Sequence, residues 1–255
     1  MSDAIRWETR GRIGVATIDR PEKRNALSAE LCRQLHGHLD GEPGLRAVVI
    51  TGAGEKAFCA GADLAVRTAE TESATDDSFI PPYEAMLEAI VAYPAPVIAA
   101  VNGHAIGAGM QLAVACDLRV VAPNATFGIP AGKLGVFLSP ENIARLATLV
   151  GQGAARDILL TARAYDVDEA AAIGLVQRRA DDALAAALEL AEQVAALAPL
   201  TVQGSKRALH LVAGALTDAT LTELRALQDR AFGSDDLREG LAAFSEKRPP
   251  DFEGR

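Results

Sequence analysis

The chain has 255 residues, 49% of them hydrophobic and 23% charged, with a formal net charge of −9. Such a chain can bury a sizeable core, and its composition excludes disordered, collagen-like and fibrous classes. The acidic balance excludes a basic nucleic-acid-binding face, so a polyanionic ligand has to be met by local positive charge. Aromatics make up only 4%, so Ala, Val, Leu and Ile have to build the core. Cys32, Cys59 and Cys116 are too few and too scattered for a disulfide framework, and no Cys/His spacing suggests a bound metal. Residues 1–10 include Asp3, Arg6, Glu8 and Arg10 and offer no apolar signal core, so a cytoplasmic, reduced protein is expected.

Residues 5–10 and 13–19 read as two strands joined at Gly11-Arg12 in a hairpin. A polar loop at 21–25 follows. Ser28 then caps a helix that carries Leu31, Leu35 and Leu39 on one face. Residues 47–50 form a short buried strand. The stretch 66–82 is rich in Thr, Ser, Asp and Glu, ends in Pro81-Pro82, and reads as a lid. Residues 90–116 carry no formal charge, which raises the question of a membrane span. Pro94, Pro96, Gly103, Gly107 and Gly109 break any single helix there. A strand at 96–101, a glycine loop and a helix from about Gly109 fit better. Another strand covers 117–121. Ser139-Pro140-Glu141 opens a helix with Pro at its first position, and Gly151-Gln-Gly153 separates it from the next. Asp181-Asp182 opens a helix with Leu184, Leu188, Ala191 and Val194 on one face, stopped by Pro199. Beyond it the pattern is helical to about Phe244, and a polar tail begins at Pro249.

Alternating strands and helices followed by helices alone imply an α/β core, residues 1–198, with a helical region, residues 199–255, packed on the core or on a neighbour. Two segments of the core share a layout. VVITG at 48–52 leads to FCAGADL at 58–64, and VIAAVNG at 97–103 leads to HAIGAGM at 104–110. Each is a strand, a turn of small residues and the start of a helix. Small residues let a ligand approach backbone N–H groups, and a helix start adds free donors and a positive dipole end. Two such turns facing each other make a pocket for developing negative charge on oxygen. Either turn alone also reads as a packing requirement. No Gly-Lys-Ser/Thr follows, so this is not a phosphate loop.

These segments, with DRPEKRNAL at 19–27, CDLR at 116–119 and EGLAAFSEKR at 239–248, resemble the enoyl-CoA hydratase/isomerase family, the crotonases. The matches run in order from about residue 13 to the end. The resemblance implies a spiral of repeated ββα units in the core. It also implies a C-terminal helical trimerisation region, trimers or hexamers, and an acyl-CoA thioester as ligand or substrate. It puts the two oxyanion amides on Ala62, after Ala60-Gly61, and on Ala108. Arg24, Ala26 and Leu27 match the segment that lines the nucleotide and pantetheine arm, and Phe244 and Lys247 match positions that reach the CoA of a neighbouring subunit. Asp63, Leu64, Pro130 and Leu134 fall in the same ligand-binding segments, with Asp63 expected to cap the helix after the first turn.

The family's hydratases use two glutamates, and here those positions are Gln111 and Ala131. Gln can hold a water but cannot take its proton near neutral pH, and Ala can do neither. The sequence therefore resembles the subgroup of hydratase homologues that lack both glutamates and handle long-chain acyl-CoA in lipid synthesis. Ala131, Leu134, Val136, Phe137 and Leu138 suit an apolar chain. The expectation is an acyl-CoA carrier or binder of fatty-acid metabolism with little hydratase activity, possessing no permanent cofactor, metal, nucleic-acid partner or membrane span, and able to meet a lipid-synthesis enzyme. The alternatives are an active family enzyme using Glu141 or a water held by Gln111, and a scaffold whose assembly matters more than its pocket. Lys133 reads as solvated and His104 as structural.

Overall fold

The structure, a computed structural model, describes residues 4–63, 79–213, 218–246 and 248–255. Strands β1 (Ala4–Arg10) and β2 (Ile13–Asp19) form the expected antiparallel hairpin. Helix α1 (Ala29–Gly41) starts at Ser28, whose hydroxyl accepts the Leu31 amide, and it buries Leu31, Leu35 and Leu39. Three strand pairs follow: β3 (Ala47–Gly52) with β4 (Ala57–Cys59), β5 (Val97–Val101) with β6 (His104–Ile106), and β7 (Leu118–Val121) with β8 (Phe127–Gly128). The first strand of each pair joins a six-stranded sheet ordered β1-β2-β3-β5-β7-β10, and the second joins a four-stranded sheet ordered β4-β6-β8-β9. Here β9 is Ala164–Tyr165 and β10 is Arg178–Arg179. Strands β2, β3, β5, β7 and β10 run parallel in the larger sheet. Repetition of one strand-pair unit along two sheets is the spiral that the resemblance implied.

The runs at 47–52 and 97–101 are buried throughout. Period-two alternation explains this, because each strand feeds two cores at once. Val48, Ile50, Val97, Ala99 and Val101 face the inner cluster with α1, while Ala47, Val49, Ile98 and Ala100 face the outer one. The helix spanning Ala183–Ala195 closes the outer cluster with Ala187, Leu190 and Ala191.

The helices are α2 (Ile80–Ala92), α3 (Ala108–Ala115), α4 (Ala131–Leu134), α5 (Pro140–Thr161), α6 (Val167–Ala172), α7 (Ala183–Ala195), α8 (Pro199–Val212), α9 (Asp218–Phe232) and α10 (Asp235–Glu246). Helix α2 is a correction. Pro81-Pro82 was taken as the end of a lid, but it occupies the first turn of α2, where a missing N–H costs nothing. The rest of the expected lid, 66–78, lies outside the described residues. The charge-free stretch 90–116 ends α2 and then contributes two strands and α3, and no single described helix is long and apolar enough to cross a membrane. As expected, α5 is broken at Gly151, whose non-helical φ 77° and ψ 161° separate two helical stretches across a kink. Asp182 caps α7 as expected, accepting the Ala185 amide at 3.0 Å. The final residues are a second correction. Instead of trailing as a solvated tail they fold back onto α10. The buried Asp236 accepts the amides of Glu253 and Gly254, and Asp235 donates its amide to the Arg255 carbonyl.

Candidate active site

The two small-residue turns meet backbone to backbone. A Cβ added to Gly109 would lie 2.1 Å from the Cys59 carbonyl oxygen, and one added to Gly61 would lie 3.0 Å from Ile106 O and 3.6 Å from Ala108 N. Only glycine permits this approach, and Gly61 also has φ +108°. The contact brings Ala62 and Ala108 to one cavity. Ala62 bridges Leu27 as a short parallel pair, in which Leu27 donates to Gly61 O and Asp63 donates to Leu27 O. These bonds use the peptides on either side of Ala62 and leave its own N–H without an intrachain acceptor among the described residues. Ala108 is the first residue of α3, where an amide has no helical acceptor. The buried Tyr83 hydroxyl donates to the Ala108 carbonyl at 3.0 Å and ties α2 to this turn. Burial pushes the Tyr83 phenol well above its ordinary pKa, so it remains a neutral donor.

The first turn is braced from outside. Arg20, 1% exposed, pairs with Asp63, 7% exposed, at 3.0 Å and donates to Ala26 O at 2.9 Å. Lys23 reaches the same Asp63 oxygen at 3.1 Å. Burial raises the Asp63 pKa, but the hydrogen bonds from Lys23 and Arg20 outweigh it and hold the carboxyl below its ordinary value. The structure thus gives Asp63 an ion-pair role; the helix it was expected to cap lies outside the described residues. Asn25 Nδ2 donates to Ala53 O and Ala57 O, and Ala60 N donates to Arg24 O. Arg24 and Asn25 both have positive φ, 51° and 58°, which bends the 20–27 loop along the edge of the turn. Asp63, Arg20 and Asn25 form the bracing network; sequence reading missed Arg20 because a buried arginine carries no local pattern.

The cavity has a volume of 390 Å³ and gathers seven of the fifteen expected site residues: Ala60, Ala62, Ala108, Gln111, Pro130, Ala131 and Leu134 all line it. Val136, Phe137 and Leu138 line it too, with Phe137 86% exposed at its edge. Arg24, Ala26, Leu27 and Asp63 sit behind the first turn and do not line the cavity. Glu141 is exposed and is not brought into the cavity; its neighbour Asn142 is. Lys133 is exposed, and His104 pairs with Thr126 away from the cavity. Phe244 falls on α10, while Leu64 and Lys247 lie outside the described residues. Gln111 lies one turn along α3 from Ala108, its Nε2 reaching Gly107 O only at 3.5 Å. Glu84, on α2, lines the cavity and was missed, because local patterning offers α2 no helical frame. No His/Cys/Asp/Glu cluster suited to a metal occurs among the described residues.

A family model described as enoyl-CoA hydratase/isomerase matches residues 8–255. The chain belongs to the enoyl-CoA hydratase/isomerase (crotonase) family. It is 43% identical over 243 residues, 93% of this chain and 94% of the other, to a "Probable enoyl-CoA hydratase echA6" of Mycobacterium tuberculosis. It is 33% identical over 246 residues, 94% of each chain, to a short-chain-enoyl-CoA hydratase of Clostridium acetobutylicum. Its fold is similar to the crystal structure of an enoyl-CoA hydratase from Bacillus anthracis. That match has a TM-score of 0.92 and 32% identity, and covers 98% of this chain and 99% of that one.

Proposed function

We propose that this chain binds an acyl-CoA thioester in the 390 Å³ cavity, with the Ala62 and Ala108 amides on the thioester oxygen, and hydrates it very slowly. The reading places it in the cytoplasm as a long-chain acyl-CoA carrier or binder of fatty-acid metabolism, delivering to an enzyme of lipid synthesis. One observation carries it: the side chains at the two acid–base positions, Gln111 and Ala131, both line the cavity and neither carries a carboxylate. Two amides polarise a carbonyl and stabilise an enolate, each contributing about 10²–10³-fold in reactions that use them. Adding water across a double bond also needs a base for the water and an acid for the α-carbon, and those groups typically contribute about 10²–10⁴-fold. Neither Gln nor Ala exchanges a proton near neutral pH.

Self-association as a trimer or hexamer through residues 199–255 is part of the same reading. It is supported by Leu209, Phe232 and Leu241, exposed on α8, α9 and α10, and by a 630 Å³ apolar groove between those helices. Phe244 and Lys247 then complete the CoA site of a neighbouring subunit.

The test uses the whole protein and two ligands. Tight binding of a saturated long-chain acyl-CoA, with the conjugated-thioester absorbance of crotonyl-CoA persisting, supports a binder. Rapid loss of that absorbance supports the enzyme. Failure to bind any CoA ester leaves only a scaffold.

A further inference from the structure

Two arginines are buried among the described residues, Arg20 and Arg119, each 1% exposed. Arg20 braces the first turn; Arg119, on β7, lies outside that network. Its neighbour Asp117 turns its carboxylate elsewhere, to the Val97 amide at 2.7 Å and to Lys206 of α8 at 2.8 Å. Among the described residues the Arg119 guanidinium is held by main-chain carbonyls alone. Nη1 donates to Ala113 O at 2.9 Å and to Cys116 O at 2.7 Å. Nη2 donates to Asp117 O at 3.1 Å, and Nε donates to Leu175 O at 2.7 Å. Burial lowers its pKa to about 10, which still leaves it charged at neutral pH.

Ala113 belongs to the last turn of α3, and Cys116 is its C-cap. The final carbonyls of a helix have no partner within it, and a cation placed there complements the negative end of its dipole. Helix α3 carries no basic residue in its own last turn and no acid in its first, so Arg119, reaching in from β7, is the charge at that end. Burying a charge without a carboxylate is costly, and a neutral amide would fill one or two carbonyls without that cost. The rigid fork does more: it ties the end of α3 to the turn that follows and to Leu175. The other end of α3 is Ala108. Eight residues at about 1.5 Å each put the two ends about 12 Å apart, so the helix moves as one short rod. At the Ala108 end the Gly109 contact blocks closer approach, and Tyr83 holds the Ala108 carbonyl. The direction of the Ala108 N–H follows the helix axis, and the axis depends on where its far end is held.

We propose that Arg119 is a positioning residue for the thioester: its fork holds the far end of α3 so that the Ala108 amide points at the ligand's carbonyl oxygen. This rests on the acyl-CoA reading above and adds to the two amides a residue that never touches the ligand.

Octanoyl-CoA labelled with carbon-13 at its carbonyl, bound to the full-length protein, reads the effect by isotope-edited infrared spectroscopy. Two donors on the oxygen should lower the carbonyl stretch in the parent. Arg119→Met should return much of that shift toward the free value and weaken octanoyl-CoA binding about five- to tenfold, the worth of one misdirected hydrogen bond. Arg119→Lys keeps the charge and loses the fork, so its stretch should fall between the parent and the free ligand; it decides the question alone if Arg119→Met fails to fold. Lys206→Met removes bonds to Ile90 O, Ala95 O and the Asp117 carboxylate without touching the α3 carbonyls. It should lower the denaturation midpoint and leave the stretch where the parent has it. A parent-like stretch in Arg119→Lys, or an equal displacement in Lys206→Met, overturns the positioning role and leaves the acyl-CoA reading standing. A parent that binds octanoyl-CoA with its carbonyl unshifted overturns the oxyanion placement and this role with it. A parent that does not bind octanoyl-CoA overturns the acyl-CoA reading as well.

Discussion

Placing carboxylates at both acid–base positions, Gln111→Glu with Ala131→Glu, should sharply raise the rate of crotonyl-CoA hydration. The structure favours the exchange at both positions. The Gln111 amide is tied only by a 3.5 Å contact to Gly107 O, so no strong bond is lost. Ala131 is half-buried in the first turn of the four-residue α4, on the cavity wall, with open space beyond its methyl. Each acid–base group typically contributes about 10²–10⁴-fold, and the pair acts as a unit, so the gains do not simply multiply. We expect a rise of about 10³-fold or more for the double variant, with less for either single change. Burial in an apolar cavity raises a carboxyl's pKa, which suits the member that must deliver a proton to the α-carbon at neutral pH. The assay is the rate at which crotonyl-CoA loses its conjugated-thioester absorbance, alongside octanoyl-CoA affinity and a denaturation midpoint. A variant that folds and binds octanoyl-CoA like the parent, yet shows no rate increase, would refute the placement of both positions beside the reacting carbons.

Four further outcomes follow from the bracing and packing of the molecule. Asp63→Asn removes the carboxylate that pairs with the buried Arg20 guanidinium and should cost about 3–5 kcal/mol in urea unfolding; a loss below about 1 kcal/mol would show that the pair is dispensable. Because the folded Asp63 carboxyl is held below its ordinary 3.8, its stabilisation is complete above that pH and is lost as pH falls through the lower folded value; the natural protein should therefore lose stability more steeply below about pH 4 than Asp63→Asn does. Gly109→Ala drives a methyl to 2.1 Å from Cys59 O and should both lower the denaturation midpoint and weaken thioester binding, whereas loss of stability with unchanged affinity would separate the loop contact from the oxyanion pair. Burial raises the pKa of Cys32, Cys59 and Cys116 to about 12 each, so a thiol reagent at pH 8 should label them only after denaturation.

The parts of the molecule legible in the sequence were those written in local patterns. The Gly11 hairpin, the Ser28 cap, the leucine face of α1 and the Asp182 cap depend on neighbours within a few residues, and all formed as read. The cavity-lining positions Ala62, Ala108, Gln111 and Ala131 came from the family resemblance, whose motifs mark residues that meet in space. What failed was what depends on distant partners. Pro81-Pro82 reads as a loop until the apolar residues Tyr83, Met86, Leu87 and Ile90 find the core, and then it starts a helix. Pro249 to Arg255 looks solvated until Asp236, buried on another element, collects its amides. Arg20 went unnoticed because its acid lies 43 residues away. Glu84 went unnoticed for the same reason as α2, and Glu141 was considered while its neighbour Asn142, the residue that enters the cavity, was passed over.

The contact at Gly109 carries a further consequence. Because main chain abuts main chain there, the spacing of the Ala62 and Ala108 amides is set first by the winding of the spiral, with Tyr83 and the Arg20–Asp63 pair bracing it. Under the proposed acyl-CoA reading, grip on the thioester and the reaction performed on it are thereby governed by largely separate sets of residues. A lineage can rewrite the positions facing the acyl carbons, and so exchange, discard or recover a reaction, without relearning how to hold its ligand.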